Sequence, residues 1–235
     1  MDITEKIEEV SLLPYQEDIV NKIYKLGDYL FKHTQKIKFA GFLLYGTPGN
    51  GKTEIAKQAA LKIKRSIPSK IYLLDGSDIA SPKWGDAEEK LKKIFEIDKD
   101  IKSKEKMILI FDDIESILLS RSAEIAKEWH YSINSVIFHL LDSIDLKDSI
   151  VIATTNRFEL VDKALISRLY SIEIKPVSKD DLYKFLDYIL NNEYYETNLD
   201  EIKKNIKGKI SDDKIKTLRD VEHEFLISYI EKLEV

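Results

Sequence analysis

Two short stretches concentrate the side chains that could do chemistry: residues 46–53 read GTPGNGKT, and residues 108–115 read ILIFDDIE. In the first, glycines at 46, 49 and 51 let the backbone curl so that successive N–H groups point inward, a geometry suited to phosphate oxygens. The apolar run before it and the amphipathic pattern after it put the curl between a strand and a helix N-terminus, whose dipole adds positive potential. Lys52 supplies a cation for β- and γ-phosphates, and the Thr53 hydroxyl is of the type that joins a Mg²⁺ shell. Gly46, Thr47, Pro48, Gly49, Asn50, Gly51, Lys52 and Thr53 therefore form the expected phosphate-binding set.

In the second stretch a buried strand ends in two carboxylates. Desolvating an unpaired carboxylate is costly, so a cation, a hydrogen-bond donor or open water must meet that strand end. The phosphate loop supplies the cation. Asp112 is expected to hold Mg²⁺ with Thr53, and Asp113 to polarise the water that attacks the γ-phosphate. The alternative is that both aspartates cap a following helix, IESILL.

The elements that must position these groups follow from hydrophobic periodicity. Continuous apolar runs at 41–46, 70–75, 107–112, 149–155 and 171–175 suit strands buried on both faces of a parallel sheet. Between them, residues 52–65 place Ile55, Ala56, Ala59, Ala60 and Ile63 on one helical face, and 86–97 do the same with Ala87, Leu91, Ile94 and Phe95. This alternation argues for an α/β layered core over residues 1–176. After Pro176 the strand-type runs stop, and residues 181–190 and 215–230 carry helix-period stripes. A second, all-helical subdomain is expected over 177–235.

The composition narrows the function classes. With 37 Lys+Arg against 42 Asp+Glu, the net charge of -5 gives no global positive field toward nucleic acid or anionic membrane. The absence of cysteine excludes disulfides, thiolate metal sites and cysteine nucleophiles. MDITEKIEEV has no apolar leader core and no apolar stretch approaches the ~18 residues of a membrane span, so a cytoplasmic location without membrane attachment is expected.

With these residues in order, the chain resembles the AAA+ ATPases over roughly residues 11–230. GTPGNGKT resembles their Walker A motif and ILIFDDIE their Walker B. SDIASPKWGDAEEKLKKIFE (77–96) is similar to the pore-loop segment and helix, VIATTNRFELVDKALISRL (151–169) to the sensor 1 and arginine-finger region, and TLRDVEHEF (217–225) to the sensor 2 helix. The resemblance implies a P-loop NTPase fold: a five-stranded parallel sheet with the sensor 1 strand between the Walker strands, and a helical lid. It further implies ATP and Mg²⁺ as ligands and a homo-oligomeric ring with nucleotide at subunit boundaries. Asn156 would be sensor 1, orienting the attacking water. Arg168 would be the finger reaching a neighbour's γ-phosphate, and Arg219 the sensor 2 residue. Each has a structural alternative: a turn or cap for Asn156, a pair with a carboxylate such as Glu173 for Arg168, and an i,i+3 pair with Glu222 for Arg219.

The departures from the family pattern bear on function. The usual second Walker B acid is glutamate, and Asp113 withdraws the carboxylate by about 1.5 Å; misplacements near ~1 Å can cost about 100-fold in rate. Slow hydrolysis and a backbone shift that restores reach both follow as expectations. Paired aspartates also occur in replication initiators and helicase-loader-like members, toward which LRDVE leans. Trp84 beside Gly85 resembles the aromatic-Gly pore loop of protein-threading members, although the spacing is one residue short and the paired arginines of that branch are missing. Threading members usually carry a separate N-terminal recognition domain, and the segment ahead of Gly46 is too short for one, so substrate choice would fall to an adaptor or to the ring surface. The expected function is an ATPase that remodels a protein or protein complex. The alternatives are a nucleic-acid-associated loader or initiator switch, and an ATP-gated assembly protein with little hydrolysis.

Overall fold

The computed structural model describes residues 2–33, 40–75, 106–116, 137–139, 142, 148–192 and 199–233. The apolar runs form strands β1 (Gly41–Tyr45), β2 (Ser69–Asp75), β3 (Lys106–Asp112), β4 (Ser149–Thr155) and β5 (Leu169–Glu173). They pair in parallel as one five-stranded sheet in the order β2-β3-β4-β1-β5. All of β4 is buried, as is β3 from Met107 to Phe111, because central parallel strands are covered on both faces. The last strand differs from expectation. It spans Leu169–Glu173 rather than 171–175, and only Leu169 and Ile172 are buried in it, one on each face, as suits an edge strand that is only partly covered.

Helix α1 (Pro14–Lys32) opens with proline at its first position, where the missing N–H costs nothing, and Gln16 Oε1 accepts the Leu13 N–H at 3.0 Å. Its neighbour α2 (Lys52–Ser66) buries Ile55, Ala56, Ala59, Ala60 and Ile63 completely, the face read from the sequence. A one-turn helix α3 (Lys163–Ile166) precedes β5, capped by the Asp162 carboxylate, which accepts the Ala164 N–H at 2.8 Å. Ile3 N donates to Ile71 O at 2.9 Å, laying the N-terminal segment along the outer edge of β2. The chain leaves β3 through a short 3-10 turn, Ile114–Ser116, and the rest of IESILL lies outside the described residues. The amphipathic helix expected at 86–97 and Trp84 lie outside the described residues.

The chain divides into two compact units, Met1–Tyr45 with Lys52–Glu173, and Gly46–Gly51 with Ile174–Val235. In the second unit, α4 (Lys179–Asn192), α5 (Asp200–Ser211) and α6 (Leu218–Leu233) are built around Leu182, Leu186, Ile202, Ile206, Ile210, Val221 and Phe225. Side-chain caps set two of the helix starts. Ser178 Oγ accepts the Asp181 N–H, and Thr217 and Asp220 cap α6 reciprocally: Thr217 Oγ1 accepts the Asp220 N–H at 3.1 Å, and Asp220 Oδ2 accepts the Thr217 N–H at 2.9 Å. A Lys209–Glu224 ion pair joins α5 to α6. Leu226, Ile227, Ile230 and Leu233 of α6 are exposed.

Candidate functional site

Parallel strands bring their C-terminal tips to one edge of a sheet, so in the first unit the ends of the adjacent strands β3 and β4 meet. Asp112, the last residue of β3, accepts the Thr53 hydroxyl at 2.8 Å and the Thr154 hydroxyl at 2.6 Å, both on Oδ1. Thr53 stands in the first turn of α2, directly after the buried Lys52. The structure thus brings together Thr53 and Asp112, the two residues expected at Mg²⁺. Each Thr hydroxyl has donated its one proton, which leaves the Thr53 oxygen with lone pairs for a cation.

The next residue, Asp113, has a left-handed backbone, with φ of 48°. Its Oδ1 accepts the Asn156 side-chain amide at 2.7 Å, so the expected water-polarising acid and the expected sensor 1 amide are in direct contact. Asn156 follows the last residue of β4. Its own N–H donates to Glu115 Oε1 at 3.0 Å, so two carboxylates of the chain leaving β3 grip it at backbone and side chain. The Asp112 carboxylate thus meets Thr53 and Thr154, and the Asp113 carboxylate meets Asn156. Both carboxylates are turned to the β4 tip.

Arg168 lies between α3 and β5. Its Nε and Nη2 donate to the two carboxylate oxygens of Asp142 at 2.7 and 2.9 Å, its Nη1 donates to Ala164 O at 2.8 Å, and its guanidinium stacks over the Phe138 ring at 5.3 Å. The partner is Asp142, not the Glu173 suggested by the sequence. The hydrogen bonds that Arg168 donates to Asp142 also raise the guanidinium pKa above its ordinary value.

In the second unit, the loop 46–51 has φ of 150° at Gly46, 79° at Gly49 and 80° at Gly51, which L side chains rarely adopt. Asn50 Nδ2 donates to Thr47 Oγ1 at 2.7 Å. Gly49 is required twice over: besides its φ, a Cβ there would lie 2.8 Å from Thr217 Oγ1. The Arg219 N–H donates to Gly49 O at 3.3 Å, which brings the start of α6 against the loop within this unit.

These residues fit a magnesium nucleotide. One hydroxyl and one carboxylate are a small oxygen donor set, and among the described residues no group of three or more His, Cys, Asp or Glu could hold a metal. Mg²⁺ suits such a set, because it keeps several waters and takes its other ligands from phosphate. The loop glycines provide the backbone conformations that a phosphate cradle needs.

Sequence reasoning missed Thr154, Ser116 and Asp142. A threonine within SIVIATT reads as an ordinary β-branched strand residue; the one available signal was that it stands two positions before Asn156. Among the described residues no helix is long and apolar enough to cross a membrane.

Comparison with known proteins agrees with this geometry. The family described as "ATPase family associated with various cellular activities (AAA)" matches residues 42–177. A Corynebacterium efficiens protein described as an AAA ATPase forming ring-shaped complexes is 32% identical over 70% of this chain and 31% of its own length. A cell division cycle protein 48 homolog of Archaeoglobus fulgidus is 36% identical over 53% of the chain and 16% of its own. An ATPase family AAA domain-containing protein of Arabidopsis thaliana is 35% identical over 53% and 10%. The chain thus spans less than a third of the length of these relatives. The match over the sheet and the strand-tip acids, together with the strand order, shows that the chain belongs to the AAA family of ATPases.

Proposed function

We infer that the chain binds and hydrolyses Mg·ATP within a homo-oligomer, and that this cycle remodels a protein or protein complex. The observation that carries the reading is the convergence of the Thr53 and Thr154 hydroxyls on Asp112, one residue from an Asp113 that is hydrogen-bonded to Asn156. In this reading Gly46–Gly51 and Lys52 hold the phosphates. Mg²⁺, held by Thr53 and Asp112, would neutralise charge on the transferred phosphoryl group. Asp113 accepts the proton of the attacking water, and the Asn156 amide orients that water. Arg168 acts on the nucleotide of a neighbouring copy, as its always-charged, forked guanidinium suits. Arg219 acts from the start of α6, with residues 1–176 as the core and 177–235 as the lid. The relative described as ring-forming supports assembly.

A second reading is ATP-gated assembly with slow turnover. It draws on Arg168 being held by Asp142 of its own chain. The two readings part in one experiment. Lys52→Ala is expected to lose ATP binding under both. Under the first, Asp113→Asn keeps ATP affinity and loses phosphate release from a wild type that turns over steadily; a wild type that binds ATP, assembles and releases no phosphate would leave the second. Unchanged ATP affinity in Lys52→Ala would remove both.

A further inference from the structure

We propose that Thr154 and Ser116 are positioning residues that clamp Asp113 in its left-handed conformation, and that this conformation lets an aspartate work where a longer acid would otherwise be needed. The inference rests on Asp113 being the hydrolytic acid.

The polar groups of Asp113 are held from several sides. Its N–H donates to Thr154 Oγ1 at 3.1 Å, its carbonyl accepts both the N–H and the hydroxyl of Ser116 at 2.9 and 2.7 Å, and its carboxylate accepts the Asn156 amide at 2.7 Å. The Thr154 bond has only one workable direction. A hydroxyl carries one proton, and Thr154 gives it to Asp112 Oδ1 at 2.6 Å, so it can meet the Asp113 N–H only as an acceptor. A single buried hydroxyl thus orients two consecutive acids in opposite senses. Thr154 is 1% exposed and lies on a strand buried along its whole length, so the hydroxyl cannot drift.

The geometry is large enough to matter. A Cα–Cβ bond of about 1.5 Å at a near-tetrahedral angle sweeps a circle of roughly 1.4 Å radius as φ turns. Rotation from an extended φ near about −120° to the observed 48° carries Cβ through ~3 Å. That exceeds the ~1.5 Å lost with one methylene. Aspartate tolerates this region without demanding it, and the hydrogen bonds with Thr154 and Ser116 hold the Asp113 backbone there. If the left-handed turn merely lets the chain leave the strand, neither hydroxyl should affect turnover.

Two measurements test this. The first is thermal unfolding of Asp113→Gly and Asp113→Ala, which both lack the carboxylate and differ in tolerance of positive φ. The glycine variant is expected to unfold about 3 °C higher, against glycine's usual penalty. An alanine variant that equals or exceeds it overturns the clamp. The second is steady-state ATP hydrolysis with a separate ATP-binding titration. Ser116→Ala and Thr154→Val should each lower kcat about 10-fold, with KM and ATP affinity within about twofold for Ser116→Ala, and Thr154→Ser should return kcat to within about threefold of wild type. Ser116 does not touch Asp112, so its variant separates the clamp from any effect on Mg²⁺. If Asp113→Asn stops turnover while Ser116→Ala and Thr154→Val keep wild-type kcat, the clamp alone is wrong. If Asp113→Asn turns over normally, the reading of Asp113 as the acid fails, and the clamp with it.

Discussion

Replacing Gly49 by alanine tests the phosphate loop at the point where its geometry is most constrained. At φ of 79° an L residue costs about 1–2 kcal/mol. The new Cβ would also lie 2.8 Å from Thr217 Oγ1 and 3.0 Å from Thr217 Cβ, closer than ordinary van der Waals contact. Thr217 cannot give way freely, because its hydroxyl and its N–H are both tied to Asp220 in the cap of α6. Overpacking of this kind costs roughly 1–3 kcal/mol, so the sum is ~3 kcal/mol. For a protein of this size that is a fall in Tm of about 10 °C. A matched control is Gly208→Ala within α5, where an added Cβ meets nothing within 4 Å; there alanine should stabilise by about 0.5–1 kcal/mol. Calorimetry of the two variants, with an ATP titration in which Gly49→Ala loses at least about tenfold in affinity, checks the argument. A Gly49→Ala protein that melts within a degree of the parent and binds ATP equally well refutes it.

Two further outcomes are expected. Arg168→Ala should reduce hydrolysis by the assembled protein without weakening ATP binding by the monomer. Loss of the Asp142 pair, which is partly exposed, should cost the fold no more than about 1 kcal/mol, and sedimentation with phosphate-release kinetics separates the two effects. Burial pushes the Asp220 carboxyl up, but hydrogen bonds from Lys216 and Thr217, with the nearby His223 charge, outweigh it and leave the pKa below its ordinary 3.8. A depressed acid contributes stability above its unfolded pKa and loses it as pH falls through the folded value, so that contribution should fade below about pH 4. Denaturant midpoints should show a shallower acid dependence in Asp220→Ala than in the wild type.

Much of the core was legible in the sequence, because central parallel strands carry unbroken apolar runs and the phosphate loop is a pattern of fixed residues between a strand and a helix. The edge strand β5 was misplaced by two residues, since its apolar content extends beyond its paired segment: Ile174, outside the strand, is as buried as a core residue. Helix α5 was not read at all. Its stripe of Ile202, Ile206 and Ile210 is set in a run of lysines that resembles solvated chain. At the strand tips, the residue types were legible and their partners were not. Asp142 finds Arg168 across 26 residues and Thr154 finds Asp112 across 42, distances at which no local periodicity carries information. The left-handed turn at Asp113 leaves no sequence trace either, because aspartate tolerates it without demanding it.

The strand order has a consequence for the time at which the site comes into being. Asp113 and the threonine that holds its N–H are separated by 41 residues, and β1 must wait for β4 before Gly41 can pair with Val151. During synthesis at about 5–20 residues per second, both aspartates leave the ribosome roughly 2–8 s before Thr154 does. The phosphate loop is older still in the life of the chain. A nascent chain halted before β4 carries the loop and the acids and lacks the strand between them, so acquisition of the site is a late, non-local step in folding.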